Sequence, residues 1–120
     1  MSKFRYHHVG IPTDRPLPKE DYIAEFRAYA SGYAQSPYGI EWMKFESGSP
    51  LPELVKKVPH VAFVVDDIQT EIAGKEILIA PNSPSDGITV AFIVDNGAPV
   101  ELLQFDRPEA EVWPEGAKFK

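Results

Sequence analysis

A chain of 120 residues with 43% hydrophobic and 25% charged side chains has the size and composition of one globular domain with a continuous core. Its net charge of −6, with the basic residues dispersed, argues against a phosphate-backbone partner, and no apolar run approaches the ~20 residues that span a bilayer. With no cysteine, disulfides, thiolate metal sites and cysteine nucleophiles are excluded, so any metal must be held by nitrogen and oxygen. The opening Met1-Ser2-Lys3-Phe4-Arg5 lacks the apolar stretch of a signal peptide, which makes a soluble cytoplasmic protein the expectation.

Residues 3–12 read as a strand ending in His8-Val9-Gly10-Ile11 and closed by Pro12. Pro16 and Pro18 then introduce a predicted helix of roughly three turns from about Lys19. Its acidic opening is Glu20 and Asp21, its apolar stripe Tyr22, Ile23, Phe26, Tyr29 and Ala30, and its C-cap Gly32. A turn around Ser36-Pro37 leads to a strand over 40–46. Residues 47–59, with Gly48, Pro50, Pro52 and Pro59, read as a linker.

The order then begins again. Residues 60–65 are a predicted strand, and Asp66 with Gln69 reads as a capping box for a short helix carrying Ile68 and Ile72 and stopped by Gly74. Strands follow over 76–80 and 88–94, Asn96-Gly97 signals a hairpin, and 100–105 is the returning strand. Residues 107–120 form a polar tail in which Trp113 reads as an aromatic pinning the tail to the sheet, or more sharply as a clamp over a cleft or a dimer seam.

A repeat is the strongest signal. Ile40-Glu41-Trp42-Met43-Lys44-Phe45-Glu46 aligns without gaps on Val100-Glu101-Leu102-Leu103-Gln104-Phe105-Asp106, and only Trp42 against Leu102 is dissimilar. His8-Val9-Gly10-Ile11 likewise matches His60-Val61-Ala62-Phe63. The organisation expected is one domain over 1–120, with a first module at 3–46, a linker at 47–59, a second module at 60–106 and a tail at 107–120. Each module opens on a strand with His and ends on a strand with Glu.

Strand side chains alternate, so His8, Gly10 and Pro12 share one face, as do Glu101, Leu103 and Phe105. If a pseudo-twofold axis relates the modules, two imidazoles and one or two carboxylates converge across a cleft. Such a set suits a divalent ion such as Zn, Ni, Co, Mn or Fe(II), with positions left open for substrate. His8, His60 and Glu101 alone would be the two-histidine, one-carboxylate set of non-haem iron; Glu41 adds a fourth ligand. Each residue also has a plainer reading: His60 as a core histidine, Glu101 on a solvated edge strand, and His7 pointing to the opposite face as a surface or packing residue. Asp66 and Asp67 are assigned to helix capping, and Tyr33 and Tyr38 either line the pocket or cover an apolar edge.

These motifs, spread from Tyr6 to Phe105, resemble the vicinal oxygen chelate superfamily, which includes glyoxalase I, methylmalonyl-CoA epimerase, extradiol dioxygenases and metal-free bleomycin-resistance proteins. The resemblance implies an α+β fold of two βαβββ modules forming a cupped, mostly antiparallel sheet around a cleft. It implies metal ligands at His8, Glu41, His60 and Glu101, with Glu101 or Glu41 as general base. The activity implied is isomerase, epimerase or lyase chemistry on a small substrate through a chelated enediolate or oxyanion. An Fe(II)-dependent dioxygenase and a metal-free small-molecule binding protein are the alternatives, and a homodimer is expected. One departure stands out. From His8 to Glu41 is 33 positions but from His60 to Glu101 is 41, a shortage of eight in the first module that reads as one strand with its turn. A cleft left more open, or completed by a neighbouring chain, would follow.

Overall fold

Eight strands join into one curled sheet that forms a half-barrel. In the computed structural model, which describes residues 4–17 and 19–113, they are β1 (Arg5–Pro12), β2 (Asp21–Ile23), β3 (Ala28–Ser31), β4 (Ile40–Phe45), β5 (His60–Val64), β6 (Glu76–Asn82), β7 (Ile88–Asp95) and β8 (Ala98–Phe105). Three short helices accompany them: α1 (Glu53–Lys57), α2 (Ile68–Ile72) and α3 (Glu109–Val112). Lys3 in the expected first strand, Pro18 before the expected helix and residues 114–120 of the tail lie outside the described residues.

The order β2-β3-β4-β1-β5-β8-β7-β6 is one four-strand pattern used twice. In each half the opening strand lies parallel to the closing one, and the register is the same: Val9 faces Ile40 on β4 as Val61 faces Val100 on β8. The sequence repeat is thus a repeat of hydrogen-bonded position. At the centre β1 runs antiparallel to β5, with His8 opposite Ala62 and Gly10 opposite His60.

The helix expected from about Lys19 does not form. The segment is a hairpin, β2 to β3, whose tight turn carries Arg27 at φ 50°. The spacing of Ile23, Phe26 and Ala30 matched a helical stripe, and all three are buried, but they are buried as hairpin residues. Ala28 and Ala30 alternate inward along β3, and Tyr22 stands 43% exposed where a helix would have covered it. Pairing of β3 with β4 overrides the helical pattern, and the β-forming Tyr22, Ile23 and Tyr29 suit it. Gly32 consequently follows a strand, at φ 97°, and caps no helix.

The eight missing positions are therefore not a lost strand. All four strands of the first half are present; three of the eight positions are lost before β2, where the second half carries α2, and five between β2 and β4, where the strands are shorter. His8 to Asp21 spans 13 positions against 16 from His60 to Glu76, and Asp21 to Glu41 spans 20 against 25 from Glu76 to Glu101. In the second half α2 covers the outer face, packing Ile68 and Ile72 with Leu102 and Ile93. Among the described residues no helix of the first half sits at the matching place, and Trp42 is 42% exposed while its counterpart Leu102 is fully buried. The expected capping box is also replaced. Asp67 is the N-cap of α2 without a side-chain bond to the backbone, and the Ile68 amide donates instead to Gln104 Oε1 at 2.8 Å.

The inner face is filled at both ends. At one, Ile23, Phe26, Met43 and Phe92 pack with Leu51 and Val55, so the linker at 47–59 contributes core through α1. At the other, Trp113 is 3% exposed against Ala62, Ile88, Val90 and Leu103, pinning the tail to the sheet behind α3. No helix among the described residues is long and apolar enough to cross a membrane.

Because Phe26 closes the first cluster from a two-stranded hairpin, Phe26→Ala is expected to cost about 3–5 kcal/mol in urea unfolding. Tyr38→Ala, at a side chain 72% exposed, is expected to change stability by about 0.5 kcal/mol or less.

Candidate metal centre

Two rows of neighbours cross the middle of the sheet. One runs Glu41, Gly10, His60 over β4, β1 and β5; the other runs His8, Ala62, Glu101 over β1, β5 and β8. The pseudo-twofold exchanges the rows, so each imidazole has a carboxylate two strands away. Strand alternation turns all four side chains to the inner face, where His8, Glu41, His60 and Glu101 are each 4% exposed or less.

The structure brings three of them closest. His8 Nε2 and His60 Nε2 each lie 3.1 Å from Glu101 Oε1, and one ligand atom from each of these residues falls within 4.8 Å of the others. Glu41 Oε1 lies 3.6 Å from His8 Nε2, beside the group and not within it. The imidazole rings of His8 and His60 stand 5.4 Å apart at 83°.

Burial alone would push the Glu101 carboxyl up. The imidazoles outweigh it, His60 first and then His8, and hold the group well below the usual carboxylate range. Yet His60 Nε2, although 3.1 Å from Glu101 Oε1, lacks the alignment of a hydrogen bond and is left with no hydrogen-bond partner. A buried nitrogen without a hydrogen bond, aimed close to a buried carboxylate, fits a divalent cation. Spacing agrees, since nitrogen and oxygen ligands ~2.1 Å from one ion sit roughly 3.0–3.4 Å apart. The cavity beside Glu41, His60 and Glu101, walled by Ile23, Phe26, Met43, Leu51, Val55 and Phe92, leaves about 10 Å³ for the centre of a water-sized body. That is room for one water or one ion.

Gly10 makes the centre possible. A Cβ at Gly10 would run into Cε1 of His60, whose ring lies directly over the glycine. His7 is a packing residue, but it is not on the face opposite His8. An extra residue in β1 between Tyr6 and His8 makes a bulge, and it turns His7 inward as well. His7 is 7% exposed and packs on Tyr33, Phe105 and Trp113. Its Nδ1 lies 2.7 Å from His8 Nδ1, and its Nε2 lies 2.9 Å from both Glu109 Oε2 and Tyr33 Oη. Tyr33 stacks on His7, and its hydroxyl is pushed far up by burial and then by the charge of Glu109, so it stays a donor. Tyr38 takes no part. Glu109 escaped sequence reasoning because nothing in the polar tail marks it; only the docking of α3 brings it to His7.

The fold is shared with known structures. The crystal structure of methylmalonyl-CoA epimerase from Mycobacterium tuberculosis aligns with 89% of this chain and 91% of that one, at a TM-score of 0.61 and 16% identity. The crystal structure of a hypothetical protein from Bacillus halodurans C-125 aligns with 89% and 98%, at a TM-score of 0.66 and 15% identity. No family model and no curated protein sequence matches the chain. At such identities the likeness is one of fold, and it is the fold that the resemblance to the vicinal oxygen chelate superfamily implied.

Since the His60 ring rests on Gly10, Gly10→Ala is expected to displace it. Zn(II) affinity, measured by chelator competition, should fall by about tenfold or more, with a stability loss of about 1–3 kcal/mol.

Proposed function

We propose that the chain is a metal-dependent isomerase or epimerase acting on a small molecule that chelates through neighbouring oxygens. One observation carries the reading: the buried convergence of His8, His60 and Glu101, with His60 Nε2 lacking a hydrogen bond. These three residues would hold a divalent ion (Zn, Ni, Co, Mn or Fe(II)), which supplies positive charge for an oxyanion developing on the substrate. Glu41 is the proton acceptor. It lines the cavity with His60 and Glu101, 3.6 Å from His8 Nε2 and outside the ligand group, where its carboxylate would take a proton from a carbon beside a carbonyl and return it. Glu101, set between two imidazoles, orients them. The side chains of Ile23, Phe26, Met43 and Phe92 keep water from the exchanging proton. A fold shared with an epimerase supports the reaction class.

The ligand count favours a second reading. Two histidines and one carboxylate, with Glu41 apart, is the set of non-haem Fe(II) oxygenases. Oxygen uptake with catechol-like substrates after anaerobic iron loading separates the two. A homodimer belongs to either reading, supported by the exposed Trp42 on the outer face of the first half; sedimentation would show twice the 13.4 kDa chain mass.

Metal content per chain and deuterium exchange into small 2-hydroxy and 2-oxo carbonyl compounds test the leading reading. We expect about one ion per chain in the wild type and loss of it in His60→Ala and Glu101→Gln. Glu41→Gln should keep the ion while exchange falls by about 10²–10⁴. Wild-type metal content in both His60→Ala and Glu101→Gln would sink the site.

A further inference from the structure

The second half has Pro59 where the first has His7, so the contacts of His7 are no part of the repeat. Resting on the reading of His8 as a metal ligand, we infer that His7 is a positioning residue that fixes the tautomer of His8, and that Glu109 on the C-terminal helix fixes the tautomer of His7.

The argument follows the protons. A carboxylate only accepts, so the proton in the 2.9 Å contact between Glu109 Oε2 and His7 Nε2 sits on His7. A His7 ring carrying that one proton has its lone pair on Nδ1 and can accept, across the 2.7 Å contact, the Nδ1 proton of His8. Glu101 Oε1, 3.1 Å from His8 Nε2, competes for the His8 proton; a cation held there would take its place, and the acceptor that His7 offers at Nδ1 would then leave the Nε2 lone pair to the cation. Tyr33 completes the group: its hydroxyl donates to Glu109 at 3.1 Å and its oxygen lies 2.9 Å from His7 Nε2. The His7 side chain is 3% exposed and that of Glu109 36%, so a carboxylate near the surface orders a shielded ring, which orders the ligand. Such outer partners hold a ligating imidazole in place and raise its basicity.

The C-terminal segment thereby becomes part of the centre. Trp113 seats α3 on the inner face, and α3 carries Glu109 to His7. Tyr33 stacks on the His7 ring at 4.7 Å between centroids, and Phe105 lies tilted against it at 6.1 Å.

The test is Co(II) and Zn(II) affinity by chelator competition on the full chain, with the His8 Nδ1 proton followed by ¹⁵N-edited NMR in the Zn(II)-loaded protein. His7→Phe keeps an aromatic ring but removes the acceptor, and should weaken both metals by about 10–100-fold. His7→Asn returns an acceptor at the position of Nδ1 and should recover most of that loss, together with the downfield His8 Nδ1 proton signal. Glu109→Gln should weaken binding by severalfold, and Glu111→Gln, on the exposed side of the same helix, should leave it unchanged. Wild-type affinity in His7→Phe and Glu109→Gln would overturn the inference while leaving the metal site standing. Equal losses in His7→Phe and His7→Asn would reduce His7 to packing and overturn it too. Should His7→Phe fail to fold, Glu109→Gln against Glu111→Gln decides. A wild-type chain that binds neither metal would overturn the site itself, and this inference with it.

Discussion

The antiparallel pairing of β1 with β5 is the contact on which everything else is built. It sets Gly10 opposite His60 and His8 opposite Ala62, so the two imidazoles project from adjacent strands into one space. The parallel pairings on either side then bring Glu41 next to Gly10 and Glu101 next to Ala62. A one-residue slip at the centre would turn the inward set of one half, His8 with Glu41 or His60 with Glu101, to the outer face and separate the imidazoles. The register is held by the alternation of apolar residues and by the absence of a side chain at position 10, which the His60 ring requires.

Much of this was legible in the residues, because the repeat is written at the level of strand register. Six of seven consecutive positions match between 40–46 and 100–106, and the structure pairs 40–43 and 100–103 with equivalent residues of the two opening strands. Even the single mismatch has a physical cause: Leu102 lies under α2, and Trp42 has no helix of its own half above it. What the sequence misled on was the segment after Pro18. A hairpin with a tight turn can place Ile23, Phe26 and Ala30 on one side as well as a helix can, and local periodicity does not separate the two. The deciding term was the unpaired edge of β4, which a third strand satisfies and a helix would not.

His7 and Glu109 were illegible for a different reason. Alternation assigns residue 7 to the face opposite residue 8, and only a bulge, which leaves no signature in this stretch, brings both inward. Glu109 depends on a tail whose course is fixed by one aromatic side chain. Both belong to the part of the centre that the repeat does not encode, and they break its symmetry. His8 reaches the surface through His7 and Glu109.

The filling of the inner face constrains what any chemistry here can be. The space beside Glu41, His60 and Glu101 accommodates a water or an ion, and a molecule with two chelating oxygens is several times larger. Its walls are unequal in strength. Met43 and Phe92 stand on strands paired on both sides, whereas Ile23 and Phe26 belong to an edge hairpin and Leu51 and Val55 to a five-residue helix and its approach. Local opening begins where fewest strands hold the chain. For the small molecule of the proposed function, admission would run through the hairpin and α1, on the side away from Trp113, with His8, His60, Glu101 and the His7 group staying fixed while the apolar cover moves.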